Sequence, residues 1–600
     1  MSATRIMATI AVAASAAIVL AGCVPQQSTT IDGSELTIAV TQPYTSGNPV
    51  TAYGANETNA NIAYATGTGF TYFNDKSELV RDESFGHYKK VSDDPLAVTY
   101  TVKDGVRWSD GTAVDAVDLL LEWAATSGAL NDPDADPAST VDPETGAPLE
   151  SEGSQVLFDA TATGETGIAL VTETPQISDD RMSLTLVFDK PFANWESAFF
   201  SADSAAKPAH VVGEMAFAED DALSAKEQVF AAIMNDDERD LAAIARTWNT
   251  AFNFEGMPAS ESLVVSNGPY VVSEFVANQY VTLRANENYG GIRQPTFQEI
   301  TVRFLSDPLA QAQALLVGAA QIVVPTMGTE VRDALETMDA TVIDGTTDSF
   351  EHLDLQFAES KNGTFDDPLV REAFLKTVPR SELTTAALAD VQPRATMRDS
   401  FLFAPNDRGY RGARSSNGSS DFVEIDIEGA KELLAEAGVS APAVCVLYAA
   451  GDPMRATEFS LIKDSAARAG FVVSDCSAED WRSVLGTPGA YDAALFSWEV
   501  SRPGAGVAPD VFGTDGYANL NYFTDSTVDR LVNESNDVTL DADAQADALT
   551  AADAELWKNR YGLPLFQHPA TVAFDQDQVS QVSLSALEPG VWWNVWEWKP

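Results

Sequence analysis

The chain has 600 residues, of which 45% are apolar and 21% charged, a balance that folds rather than stays disordered. At roughly 150 residues per domain, that length suggests about three or four domains. Lys and Arg number 36 against 89 Asp and Glu, a net charge of −53. Such an acidic surface keeps a protein soluble, and it argues against nucleic acid or anionic lipid as an electrostatic partner, since both need clustered basic groups.

The N-terminus sets the compartment. Arg5 precedes an almost wholly apolar run from Ile6 to Leu20, which is too short to span about 30 Å of hydrocarbon comfortably. A charged start, a short apolar core and small residues before a cut site describe a signal peptide over residues 1–22. Leu20-Ala21-Gly22-Cys23 resembles the bacterial lipobox. That resemblance implies that Cys23 becomes the lipid-modified first residue of a chain that is anchored and does not span the membrane. The other reading is an ordinary signal peptide with an incidental Cys. Residues 23–34, rich in Gln, Ser and Thr, read as a flexible tether, and no later apolar run is long enough to cross a membrane.

Strands and helices then alternate. Glu35 to Val40 is a first strand, and Thr99 to Val102 another. Asp104-Gly105 and Asp110-Gly111 turn on either side of Val106-Arg107-Trp108, and Thr112 is placed to cap a helix over Ala113 to Ala125. Asn131 to Ser154 is an acidic loop. Asp132, Asp134 and Asp136 have the spacing that begins a calcium loop, but Pro137 stands where Gly is needed and no Glu occupies the twelfth position. Leu184 to Phe188 is a strand, Pro191 to Phe200 an aromatic turn and helix, and Val264 to Tyr270 a strand broken by Gly268-Pro269. Tyr270 to Phe275 and Tyr280 to Arg284 form a hairpin; Ile300 to Phe304 is a strand, followed by a helix near Pro308 to Val317. Asp367 caps a helix running from Pro368 through Val378, and the Asp426 to Ala437 helix is ended by Gly438. Ala443 to Tyr448, a helix near Arg455 to Ala469, and Phe471 to Asp475 make a βαβ unit, with Tyr491 to Trp498 one more strand. The pattern predicts α/β layers with mixed sheets.

Cys445 and Cys476 fall on the two strands of that βαβ unit. They form no CxxC and lack a nearby His, so the expectation outside the cytoplasm is one disulfide, the alternative being two buried thiols. Metalloprotease, P-loop and nucleophile-elbow motifs are all missing, and His87, His210, His352 and His568 are scattered. No catalytic residue, cofactor or metal site is expected.

Tyr100 to Thr112 (YTVKDGVRWSDGT), with Ala116 and Asp118 behind it, resembles the hallmark of the peptide/nickel-type (family 5) solute-binding proteins of ABC importers. Ser266 to Tyr270, Leu283 to Asn286 with Tyr289-Gly290, Val370 to Phe374 with Pro379-Arg380, Ala430 to Gly438, Tyr491-Asp492, Val528-Asp529 and Leu563 to Phe566 follow in family order. The resemblance implies a two-lobed periplasmic-binding-protein-like fold with three domains and a hinge. Domain I would comprise 35–65, 265–350 and 565–600, domain II 66–264, and domain III 351–564. It also implies a small-molecule or peptide ligand held by cleft closure, delivery to an ABC permease and its ATPase subunits, and a monomer on the outer face of the cytoplasmic membrane. Gly105, Gly111 and Trp108 read as scaffold.

By the same resemblance the cleft receives the loops Thr41 to Asn48 and Trp498 to Arg502. Tyr44 and Trp498 would offer aromatic surface, Arg502 would meet an anion, and Arg455 lies near a position where some peptide binders hold a carboxylate-binding Arg. In peptide-binding members an Asp three residues after this Trp pairs with the ligand's free amine; here Ser501 stands there. A hydroxyl makes no charge-assisted bond to an ammonium, so ordinary short peptides with a free amine are not the expected ligands, and blocked or modified peptides, or oligosaccharides stacked on Trp498 and Tyr44, are the candidates. Oligosaccharides or another non-peptide solute, and a lipoprotein enzyme or surface-adhesion module, stay open as alternatives.

Overall fold

A computed structural model describes residues 29–133, 135, 141–142, 146–147, 155–161, 166–204, 206–338, 340–358, 360–392, 395–498 and 506–600. Cys23, Asp134, Asp136, Ser501 and Arg502 lie outside the described residues.

The strands in chain order are β1 (Ile31–Val40), β2 (Thr71–Phe73), β3 (Leu79–Arg81), β4 (Gly86–Asp93), β5 (Leu96–Val102), β6 (Gln176–Ile177), β7 (Ser183–Val187), β8 (Tyr270–Val276), β9 (Tyr280–Ala285), β10 (Phe297–Phe304), β11 (Ile322–Val323), β12 (Thr341–Leu355), β13 (Ala443–Leu447), β14 (Val472–Asp475), β15 (Ala493–Trp498) and β16 (Gly562–Phe574). Ten of them form one mixed sheet in the order β14-β13-β15-β12-β16-β11-β1-β10-β9-β8; β4-β5-β7-β6 form a second sheet, and β2 pairs with β3. β13 runs parallel to both β14 and β15, while β12 is antiparallel to β15 and β16. The mixed α/β architecture and the βαβ unit agree with the expectation from sequence.

Two long strands run through the whole molecule. β12 pairs with β16 from Thr341↔Phe574 to Thr346↔Pro569, then again from Phe350↔Gln567 to Asp354↔Gly562, with the register shifted in between. Apolar side chains gather in two large cores on either side of this break. One draws on β1, the small sheet, the β8–β9 hairpin and the C-terminal Trp592 and Trp598. The other runs from Leu353 to Phe566. Trp108 is fully buried in the first, consistent with its reading as scaffold. Gly105 and Gly111 take φ of +92° and +93°, which a β-carbon would disfavour.

Several local expectations shift. Residues 31–34, expected in the tether, belong to β1, where Ile31 donates its N–H to Thr296 O and a bulge follows at Gly33, whose φ is +73°. The helix after Thr112 begins at Ala116, and Asp115 caps it in a capping box with Asp118. Thr112 is unavailable because its carbonyl accepts from Trp108 N–H while Val114 N–H donates to Val106 O, which holds this stretch in a hairpin. Pro191 to Phe200 holds only a 3-10 turn at Trp195–Ser197, and a 3-10 turn at Glu261–Val264 replaces the expected strand start. The helix capped by Asp367 ends at Leu375. Among the described residues no helix is long and apolar enough to cross a membrane, and no group of three or more His, Cys, Asp or Glu is placed to hold a metal ion.

Candidate functional site

The register of the β12–β16 ladder shifts between the Thr346↔Pro569 and Phe350↔Gln567 pairs, just where the chain passes from one core to the other. β15 flanks the second half of β12, with Phe350 opposite Trp498 and Glu351 opposite Ser497. Side chains alternate across a strand, so Glu351 and Ser497 share one face, and Phe350, His352, Phe496 and Trp498 share the other.

The first face carries a buried polar cluster. Arg455 enters from the start of the Pro453–Ala469 helix, whose cap Asp452 accepts from Met454 and Arg455 N–H. Arg455 Nε lies 2.8 Å from Glu351 Oε1, and Nη2 lies 3.0 Å from Oε2. Ser497 donates to Glu351 Oε2 at 2.7 Å and accepts from Arg455 Nη2 at 2.9 Å. His568 Nε2 closes the cluster, 2.9 Å from Ser497 Oγ and 3.3 Å from Glu351 Oε2. Burial pushes the Glu351 carboxyl upward, but hydrogen bonds from His568 and Arg455 outweigh it and hold the group at about 2. Glu458, one turn along the helix, behaves oppositely: it is buried, neither oxygen has a hydrogen-bond partner among the described residues, and burial and the nearby Glu351 charge push it up to about 9. At neutral pH Glu351 is thus ionised against the Arg455 guanidinium, with Asp452 3.9 Å from the same guanidinium and Glu458 protonated.

On the opposite face, Trp498 is half-buried and stacks on His352 at 6.4 Å, with Phe496 at 5.8 Å. His352 Nδ1 is 2.8 Å from Asp354 Oδ1.

The expected ligand residues separate in this geometry. Arg455 is buried, and its charge is met from within by Glu351, so it is not a cation awaiting a ligand carboxylate. Tyr44 is 4% exposed and packs in the first core against Phe254 at 5.9 Å and Phe275 at 5.3 Å. Trp498 stays at the junction, adjacent to Ser497 of the cluster. Ser501 and Arg502 follow it outside the described residues. Cys445 and Cys476 form a disulfide with Cα atoms 5.7 Å apart, tying β13 to the residue after β14. Glu351 and Ser497 went unread in the sequence, and His568 is read there only as one of four scattered histidines. The available signal was the Leu563 to Phe566 motif, which leads directly into His568.

Away from the junction the two lobes meet again. Ala193 N–H donates to Asn536 Oδ1 at 2.6 Å, and Asn536 Nδ2 donates to Pro191 O at 2.9 Å. A β-carbon added to Gly506 would lie 2.7 Å from Phe192 Cε2. Lys90 Nζ donates to Val538 O at 2.6 Å. The exchange is reciprocal, since Val538 packs in the first core and Ala193 against the second.

Two cores threaded by one mixed sheet are the two-lobed, periplasmic-binding-protein-like architecture. The chain belongs to the bacterial extracellular solute-binding proteins, family 5, whose model matches residues 76–519. The lipoprotein Rv2585c of Mycobacterium tuberculosis is 24% identical over 576 residues, covering 92% of this chain and 90% of the relative. Among solved structures, the periplasmic EDTA-binding protein EppA superposes with a TM-score of 0.71 at 20% identity, covering 97% of this chain and 99% of its own. The oligopeptide-binding protein AppA of Bacillus subtilis, in complex with a nonapeptide, gives a TM-score of 0.59 at 15% identity, with 94% and 98% covered. At these identities the structural likeness bears on the fold.

Proposed function

We propose that this chain is a lipid-anchored receptor that captures a peptide-like solute between its lobes, most favourably a blocked or modified peptide, and delivers it to an ABC importer. The observation that carries this reading is the broken β12–β16 ladder, a two-strand crossover that bends with little loss of pairing. It supports the division into domain I (35–65, 265–350, 565–600), domain II (66–264) and domain III (351–564), since the break falls within a few residues of 350 and 565. Similarity to proteins named lipoproteins supports Cys23 as the anchor, and the nonapeptide bound by AppA supports a peptide-like solute.

The ligand preference rests on charge. Arg455 and Glu351 neutralise each other, so this cluster offers no free ion to a charged peptide terminus, and Ser501 stands where an amine-pairing Asp would be. An ammonium buried without a partner is strongly disfavoured. Calorimetric titration with short peptides, each in free-amine and N-acetylated form, tests this. The acetylated form is expected to bind about tenfold more tightly or better. Tight binding of the free amine, abolished by acetylation, would overturn the preference.

A further inference from the structure

His568 occupies the crossover itself, between the Phe350↔Gln567 and Thr346↔Pro569 pairs. Its side chain is 23% exposed, while Glu351 behind it is fully buried.

The hydrogen bonds of the cluster constrain its tautomer. Ser497 has one hydroxyl proton and gives it to Glu351 Oε2. Its lone pairs then face Arg455 Nη2 and His568 Nε2, each at 2.9 Å. Glu351, an ionised carboxylate, has no proton to give and lies 3.3 Å from the same Nε2. Two acceptors face Nε2, so Nε2 carries the hydrogen. In a neutral imidazole the lone pair is then on Nδ1. That atom makes no hydrogen bond among the described residues, and the side chain that carries it is 23% exposed.

We infer that His568 presents Nδ1 as a fixed hydrogen-bond acceptor at the interlobe crossover and, on the solute-binding reading above, selects solutes that offer a hydroxyl or amide N–H there. A carboxylate or phosphate at the same point would face a lone pair backed by the Glu351 charge, so anionic groups are excluded from this position. His568 is a specificity residue with the Glu351–Arg455–Ser497 cluster as its positioning frame.

Two measurements on the full chain test this. Long-range nitrogen NMR of histidine-labelled protein at neutral pH, with His568 assigned by its loss in His568→Gln, is expected to show the neutral Nε2–H form. An Nδ1–H or doubly protonated ring overturns the inference, whether or not any solute is found. Mass spectrometry of small molecules retained by purified protein supplies the second readout. His568→Phe, which removes the acceptor, should lose the retained solute about tenfold or more. His568→Gln, whose amide can donate inward and accept outward, should keep it. Equal retention by wild type and His568→Phe overturns the selective role. A wild type that retains nothing counts against the solute-binding reading, and the tautomer then decides the inference alone.

Discussion

Glu351 and Arg455, 104 positions apart in the chain, meet through two parallel hydrogen bonds of 2.8 and 3.0 Å in the buried space beside the lobe crossover. The pair joins β12 to the helix after β13. Removing one partner strands the other's charge, so Glu351→Ala is expected to cost about 3–5 kcal/mol. The double replacement Glu351→Leu with Arg455→Met should cost much less, because no unpaired ion remains. Urea unfolding of all three proteins checks this, and equal losses in single and double variants would refute the pairing. The Glu351 carboxyl is held at about 2 against an ordinary 4.5, so its stabilisation is complete above the ordinary value and fades as pH falls from there toward 2.

Glu458 works in the opposite direction. Its folded-state value of about 9 means that the folded chain keeps a proton that the unfolded chain has already released above 4.5. Stability is therefore expected to fall as pH rises from about 4.5 to about 9 and to level off beyond. Glu458→Gln removes this contribution. Melting temperatures of variant and wild type should diverge in the variant's favour between about pH 5 and about pH 8; a constant difference would count against the buried proton.

Gly506 and Phe192 touch across the lobes, and a valine at 506 would drive its β-carbon into the Phe192 ring. Gly506→Val should hold the lobes apart, seen as a larger radius of gyration in solution scattering. Phe192→Leu, which removes Cε2 and Cζ, should restore compaction in that background. Asn536→Ala loses two hydrogen bonds to Pro191 and Ala193 and should favour opening by about 1–2 kcal/mol. A Gly506→Val protein as compact as the wild type would exclude this contact as a support for closure.

The Cys445–Cys476 bridge spans 31 positions. Chain-entropy arguments assign a loop of that size about 3–4 kcal/mol. Reduction, or Cys445→Ser, should lower unfolding stability by about that amount, and alkylation of denatured, unreduced protein should label neither thiol. Two labelled thiols would refute the bridge.

Cys23→Ser should abolish lipid attachment and release the protein from membranes or leave it unprocessed. Fractionation unchanged by the substitution, with no lipid adduct on the wild-type N-terminus, would rule out the anchor.

Much of the secondary structure was legible because its causes act within a few residues. Asp367 before Pro368, Asp426 and Gly438 around a helix, and the alternation of the βαβ unit from Ala443 to Asp475 all declare themselves locally. β12 did not: TVIDGTTDSFEHLDL shows no clean alternation, because its first nine residues are partly exposed on both faces while Phe350 to Leu355 are buried on both. Thr112 and Asp115 are both competent caps, and the hairpin pairing of Trp108 and Val114 chose between them.

The sequence by itself determined the fold class, the ordered family motifs, the acidic charge and the Leu20-Ala21-Gly22-Cys23 run that resembles a lipobox. The tertiary structure alone decided which polar groups stand exposed at the crossover. An arginine reads as a free cation until a carboxylate 104 positions away is brought to 2.8 Å, and Tyr44 reads as a binding surface until Phe254 and Phe275 close over it. Coulombic pairing and ring packing depend on distance in space, which the order of residues along a chain does not contain.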